Sequence, residues 1–293
     1  MDRTLFVIVG AGASFDAAEE WPMAGFVRPP LVKDLFGRDY DSILARYRMA
    51  RNAAPEIRDA LRHGRDGEAI SLETHLRSMY LNSNDPYDKR RFFEITLYLQ
   101  DLLWQASSTE RVHFDNTDRL VTILLRHFDH VCFITLNYDT ILDQALHSLD
   151  SITSLDSYID YGRWSLIKLH GSVNWGYRTT GDVSLDDPPA NLDQHLGETI
   201  HLAEPKRFAP SSVDGPPRFA YFPGEVEDRL FPALTVPVGE EDEVVCPPLT
   251  RNFSTDAWLS QQSWISLSWA IALTTRQSSN AFTAQRRESG RSP

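Results

Sequence analysis

Leu5-Phe6-Val7-Ile8-Val9-Gly10-Ala11-Gly12-Ala13-Ser14 opens the chain with five apolar residues, the last three β-branched, that run straight into a glycine-rich turn. An unbroken apolar run reads as a strand buried on both faces, the habit of a parallel sheet. Glycine permits φ > 0 and close backbone approach, so consecutive N–H groups after such a strand can point at an anion. The turn lacks the third glycine of the full dinucleotide fingerprint, and it also reads as a plain strand-to-helix turn. Ser14 adds a hydroxyl, and Asp16 follows just behind.

Working outward, Leu31 to Phe36 reads as a short helix closing at Gly37. From about 40 to 106 the pattern turns helical. It is clearest over 88–105, where Phe92, Ile95, Leu99, Leu102 and Leu103 recur at spacings of three and four. Asp85-Pro86 reads as the entry to that helix. A second helix is expected over 116–128 with Asp115 as N-cap, then a strand over 131–136, a helix over 140–149 and a strand over 166–169. This alternation predicts an α/β fold: a Rossmann-like parallel sheet with helices on both faces and an inserted small helical subdomain at about 40–110. The stretch 177–230, rich in Pro, Asp and Gly, reads as a loop-rich insertion. Order is expected again in 231–238, 244–248 and a helix over 258–273, which closes a domain spanning 1–273. Residues 274–293 read as a polar, disordered tail.

The composition narrows the function classes. A net charge of −12 disfavours autonomous binding to a phosphate backbone, so no direct nucleic-acid binding is expected. No apolar run reaches 18 residues, and the first residues lead directly into a strand, so neither a membrane span nor a signal peptide is expected. The chain has two cysteines, too few for a thiolate zinc site, and Val131-Cys132-Phe133-Ile134 points to a buried free thiol in a cytoplasmic protein.

Two further polar motifs follow apolar strands. Thr135-Leu136-Asn137-Tyr138-Asp139 stands where open α/β sheets face their ligand crevice. Asn offers both donor and acceptor to a water or ribose hydroxyl, and Asp accepts. Equally, Asn137 or Asp139 can cap the helix that begins near Thr140. Leu169-His170-Gly171-Ser172, with Asn174-Trp175 behind it, ends another short strand. An imidazole there can take a proton from a hydroxyl or a water near pH 7, or it can be a structural histidine.

Taken together, Gly10-Ala11-Gly12-Ala13-Ser14, Asn137-Tyr138-Asp139 and Lys168-Leu169-His170-Gly171 resemble, in order, the patterns of the SIR2 family, the sirtuin-like proteins. A looser likeness runs through Pro232 to Pro237 and Cys246-Pro247-Pro248. Within the family the chain looks like the bacterial SIR2-like NADases of antiphage defence. It lacks the zinc-binding cysteines and the Ala-Gly-Ile-Pro-Asp-Phe-Arg stretch of the deacylases. It carries Ser14-Phe15-Asp16 and Arg28-Pro29-Pro30-Leu31 instead, and Tyr138 stands where deacylases have a small aliphatic residue.

The resemblance implies NAD⁺ as substrate, with no metal. Asn137 would position the nicotinamide ribose or the attacking water, and His170 would act as general base. Gly10, Ala11, Gly12, Ala13 and Ser14 would hold the diphosphate with Asp16 close by, Asp139 would contact the nicotinamide side, and Gly171 and Ser172 would line the pocket. It further implies a cytoplasmic effector that depletes NAD⁺, working as a homo-oligomer or with a defence partner protein. A protein deacylase or ADP-ribosyltransferase and a non-catalytic NAD-binding regulatory module are the alternatives. The chain departs from the family at its carboxyl end, where 274–293 supply no further apolar strand.

Overall fold

The computed structural model describes residues 3–17, 27–63, 72–82, 85–107, 114–147, 152–159, 162–181, 183–185 and 187–203, together with 209–210, 217–218, 220–221 and 228–234. The expected order over 235–238 and 244–248, the helix over 258–273 and the tail over 274–293 lie outside the described residues. In chain order the elements are β1 (Thr4–Val9), α1 (Ala11–Phe15), α2 (Asp41–Leu44), α3 (Arg48–His63), α4 (Leu72–Leu81), α5 (Pro86–Ser107), α6 (Asp115–His127), β2 (His130–Thr135), α7 (Ile141–His147), β3 (Trp164–Lys168), β4 (Gly171–Thr179), β5 (Leu196–Leu202), β6 (Ala209–Pro210), β7 (Pro217–Arg218), β8 (Ala220–Tyr221) and β9 (Asp228–Leu234). The expected helix at 31–36 is a single 3-10 turn, Val32–Asp34.

The fold is mixed α/β, built on a parallel sheet in the order β1-β2-β3 and compatible with the Rossmann-like class. Its apolar runs pack as strands because α6 and α7 cover one face. Val121, Leu125, Leu142, Ala145 and Leu146 meet Val131, Phe133, Trp164 and Leu166 there in one core. Cys132, in the central strand, is buried and free. β1 departs from the expectation of burial on both faces: among the described residues it ends the strand order, and Ile8 is 66% exposed. An apolar run reports hydrophobicity, whereas burial also depends on which neighbours arrive.

The helices from α2 to α5 build a second core, in which Ala50, Ala53, Ala54 and Ile57 of α3 face Ile95, Tyr98, Leu99 and Leu102 of α5. Pro55 sits inside α3 on its exposed side, where water can serve the carbonyl that its missing N–H leaves open. Glu94 accepts from the N–H groups of Met49 (2.5 Å) and Ala50 (3.3 Å) and so caps α3. Val173 and Leu234 join this core to the strands, and Gln100 Nε2 donates to the Val173 carbonyl at 2.9 Å. Phe114, rather than Asp115, stands at the N-cap of α6, with Asp115 in its first turn.

A second, antiparallel sheet in the order β5-β4-β9-β8 follows. The end of β4, the whole of β5, β6, β7 and β8, and the start of β9 fall within the stretch expected to be loop-rich. Among the described residues no helix is long and apolar enough to cross a membrane.

Candidate functional site

Parallel register brings the three motifs to one edge. Val9 pairs with Thr135, and Thr135 with Lys168, so the chain leaves the sheet at the same level after each strand. The edge is stitched laterally: the Leu136 N–H donates to the Val9 carbonyl (3.2 Å) and the Leu169 N–H to the Thr135 carbonyl (3.2 Å). Gly10, Asn137 and His170 therefore follow one carboxyl-terminal row, where open α/β sheets bind their ligands.

Gly10 is the N-cap of α1 with φ −117° and ψ 179°, an extended conformation open to any residue. Among the described residues, a Cβ at Gly10 would meet nothing within 4 Å. The packing of the described residues does not call for glycine here; it leaves space over the backbone. The Ala11 and Gly12 N–H groups stand in the first turn of α1, where a helix offers no acceptor of its own. Ala13 N–H is already used, donating to the Gly10 carbonyl at 2.9 Å.

Ser14 is buried and bridges two motifs. Its Oγ donates to Asp139 Oδ2 at 2.6 Å and accepts from Asn137 Nδ2 at 2.8 Å. Because the one hydroxyl proton goes to the carboxylate, the amide must present its NH₂ to Ser14, and this turns Asn137 Oδ1 the other way. The Asn137 N–H donates to Thr135 Oγ1 at 3.0 Å. Asp139 Oδ1 accepts from the Ile141 N–H at 3.1 Å, so this carboxylate also serves the start of α7. Burial pushes the Asp139 carboxyl above the ordinary carboxylate range, while the charge of Lys168 and the Ser14 hydroxyl pull it back.

His170 enters beside this group through Tyr138, whose ring centroid lies 6.2 Å from its own with the planes at 47°. The Val173 N–H donates to the Tyr138 carbonyl at 2.9 Å, which fixes the strand after His170 against the loop after β2. Gly171 has φ +85°, and a Cβ there would lie 1.9 Å from the Ala233 carbonyl oxygen, so the close approach of β4 to β9 requires glycine. Ser172 is buried and donates to Asn174 Oδ1 at 2.6 Å. Asp16 Oδ1 lies 3.7 Å from Arg28, whose guanidinium stacks 3.4 Å over Phe15 and donates to the Phe15 carbonyl.

The structure adds four residues to which the sequence reading gave no role. Lys168 is fully buried at the end of β3 and donates to the Asp139 carbonyl (2.6 Å) and Asp143 Oδ2 (2.8 Å). Tyr158 donates to Asp143 Oδ1 at 2.7 Å, and Asn174 donates to the Tyr158 oxygen at 3.4 Å. A lysine inside the apolar run Leu166-Ile167-Lys168-Leu169 was the available signal, since a buried ammonium needs a counter-charge. Asp143, among the inward-facing Ile141, Leu142, Ala145 and Leu146, was the matching one.

No model of a known protein family matches the chain, and no curated protein matches it.

Proposed function

We propose that this chain is a SIR2-like NAD⁺ hydrolase that acts in the cytoplasm. The observation that supports the reading is the shared carboxyl-terminal edge, where register brings the glycine loop, the Asn137–Asp139 motif and His170 together, with Ser14 bonded to both Asn137 and Asp139. The substrate diphosphate lies over the open backbone at Gly10, against the first N–H groups of α1. Asn137 presents its carboxamide oxygen to the ribose or to the attacking water. His170 takes the proton that the water or a ribose hydroxyl gives up. The bond between nicotinamide and ribose breaks, water supplies the new bond to carbon, and the products are ADP-ribose, nicotinamide and one proton. The departing nicotinamide leaves a cationic sugar, so orientation and fixed dipoles lower the barrier.

The test is nicotinamide release from NAD⁺ by the full chain beside Asn137→Ala and His170→Ala. The expected result is turnover by the wild type and a loss of roughly a hundredfold or more in each variant, the usual scale for a positioned base. Binding of NAD⁺ without turnover favours the non-catalytic module instead. Equal turnover in all three proteins sinks the assignment of these residues.

A further inference from the structure

We propose that Lys168 is a positioning residue for this site: its ammonium clamps the Asp139 backbone to α7 and so fixes the Asp139–Ser14–Asn137 relay that aims the Asn137 carboxamide. The functional consequence rests on the NAD⁺-hydrolase reading, whereas the geometry stands apart from it. Lys168 Nζ donates to the Asp139 carbonyl at 2.6 Å and to Asp143 Oδ2 at 2.8 Å, with no solvent exposure. One cation thus holds the last residue of the Asn137-Tyr138-Asp139 motif and a residue one helical turn further on. An ammonium suits this task because its donors point to the corners of a tetrahedron and can reach acceptors on separate segments.

The clamp reaches both candidate motifs. Asp143 is steadied from its other oxygen by Tyr158 (2.7 Å), Tyr158 accepts from Asn174 (3.4 Å), and Asn174 accepts from Ser172 (2.6 Å). Lys168 therefore sits between the Asn137 loop and the strand that follows His170. The charged groups that face Asp139 are Lys168 from β3, which favours the carboxylate, and Asp143 from α7, which disfavours it. The ionised carboxylate takes the Ser14 proton, and that in turn obliges Ser14 to accept from Asn137. A protonated Asp139 can donate to Ser14 instead and release the amide from its orientation.

A buried ion pair adds little net stability over an apolar pair of similar volume, so the fold alone has no need of this one. Removing one partner, by contrast, strands a buried charge. The test therefore uses the double variant Lys168→Met/Asp143→Asn, which deletes both charges and keeps an acceptor for Tyr158, beside Asp143→Asn alone. In the full chain, the Asn137 side-chain amide resonances are followed against pH by NMR, and NAD⁺ turnover is followed over the same range.

The double variant is expected to raise the pH midpoint of the Asn137 amide, by less than the roughly one unit or more that an adjacent opposite charge commands, because the smaller opposing influence of Asp143 goes with the cation. Asp143→Asn alone is expected to lower it. The acid limb of turnover moves with the amide midpoint in each variant, and kcat of the double variant drops on the order of a hundredfold with a smaller change in KM. Wild-type midpoints in both variants overturn the proposal. If the double variant does not fold, Asp143→Asn decides by the direction of its shift, with an unchanged or raised midpoint counting against the clamp. If the wild type leaves NAD⁺ intact, the hydrolase reading fails, while the amide titration still decides the role of Lys168.

Discussion

Gly171→Ala tests whether backbone sterics at the β3–β4 junction hold the sheets and the site together. The residue has φ +85°, a region that costs an L-residue roughly 1–2 kcal/mol. A Cβ would lie 1.9 Å from the Ala233 carbonyl oxygen, 2.9 Å from its carbon and 3.2 Å from Leu234 Cα, all of them backbone atoms of β9. No side chain can swing away, so β4 and β9 must part by more than an ångström where Gly171 pairs with Leu234. Overpacking of that kind costs a further 1–3 kcal/mol or so. The sum, about 2–5 kcal/mol, is a large share of the stability of an ordinary domain. Urea unfolding followed by fluorescence should show a lower midpoint with an unchanged slope. Gly10→Ala is the control: its extended backbone and the space left around it by the described residues predict no steric cost, only the loss of about 1 kcal/mol or less that alanine brings at an N-cap. A Gly171→Ala variant as stable as Gly10→Ala would refute the steric argument.

Two further outcomes follow from burial. Ser14→Ala removes the hydroxyl between Asn137 Nδ2 and Asp139 Oδ2 and strips both buried groups of that partner, so unfolding free energy should fall by about 1–3 kcal/mol in a denaturation series. A variant equal to wild type would mean that water replaces the hydroxyl without penalty. Burial also pushes the Cys132 thiol from 9.0 up to about 12, so it stays protonated near neutrality. In a Cys246→Ser variant, where Cys132 is the remaining thiol, native protein at pH 8 should resist a thiol reagent, with labelling that rises only as urea opens the fold. The same shift means that stability falls as pH climbs from 9.0 towards 12, because the unfolded chain releases the proton first. Rapid stoichiometric labelling of the native state would show that Cys132 is accessible.

The parallel sheet was legible because β1, β2 and β3 are apolar runs that end in polar or glycine-rich turns, a pattern that needs no knowledge of distant partners. α5 was legible for a similar reason, since Phe92, Ile95, Leu99, Leu102 and Leu103 repeat at the helical period. β5 was not, because Leu196 to Leu202 interleaves polar residues and its pairing with β4 is non-local. In the site, the types and order of Ser14, Asn137, Asp139 and His170 could be read, but their bonds to one another could not. Whether Ser14 Oγ points at a ligand or at Asp139 depends on how residues more than a hundred positions apart approach, which no local pattern encodes. The ion pair of Lys168 and Asp143 was hidden in the same way: each residue looked out of place alone, and only the packing of α7 on β3 explains both.

The cap on α7 and the bond to Ser14 engage different oxygens of the Asp139 carboxylate. Oδ1 receives the Ile141 N–H at the start of α7, while Oδ2 receives Ser14 and through it orients Asn137. A carboxylate has lone pairs enough for both tasks, so evidence for the cap takes nothing from the relay. The consequence concerns how variants are interpreted. Any substitution of Asp139 loosens α7 and the relay together, and a fall in activity there cannot be separated from a fall in stability. Asn137 differs: its side chain sits at the far end of the relay, and its N–H, bound to Thr135 Oγ1, belongs to the backbone and survives substitution. Among the residues of this edge, Asn137 is therefore where chemistry and folding come apart most cleanly.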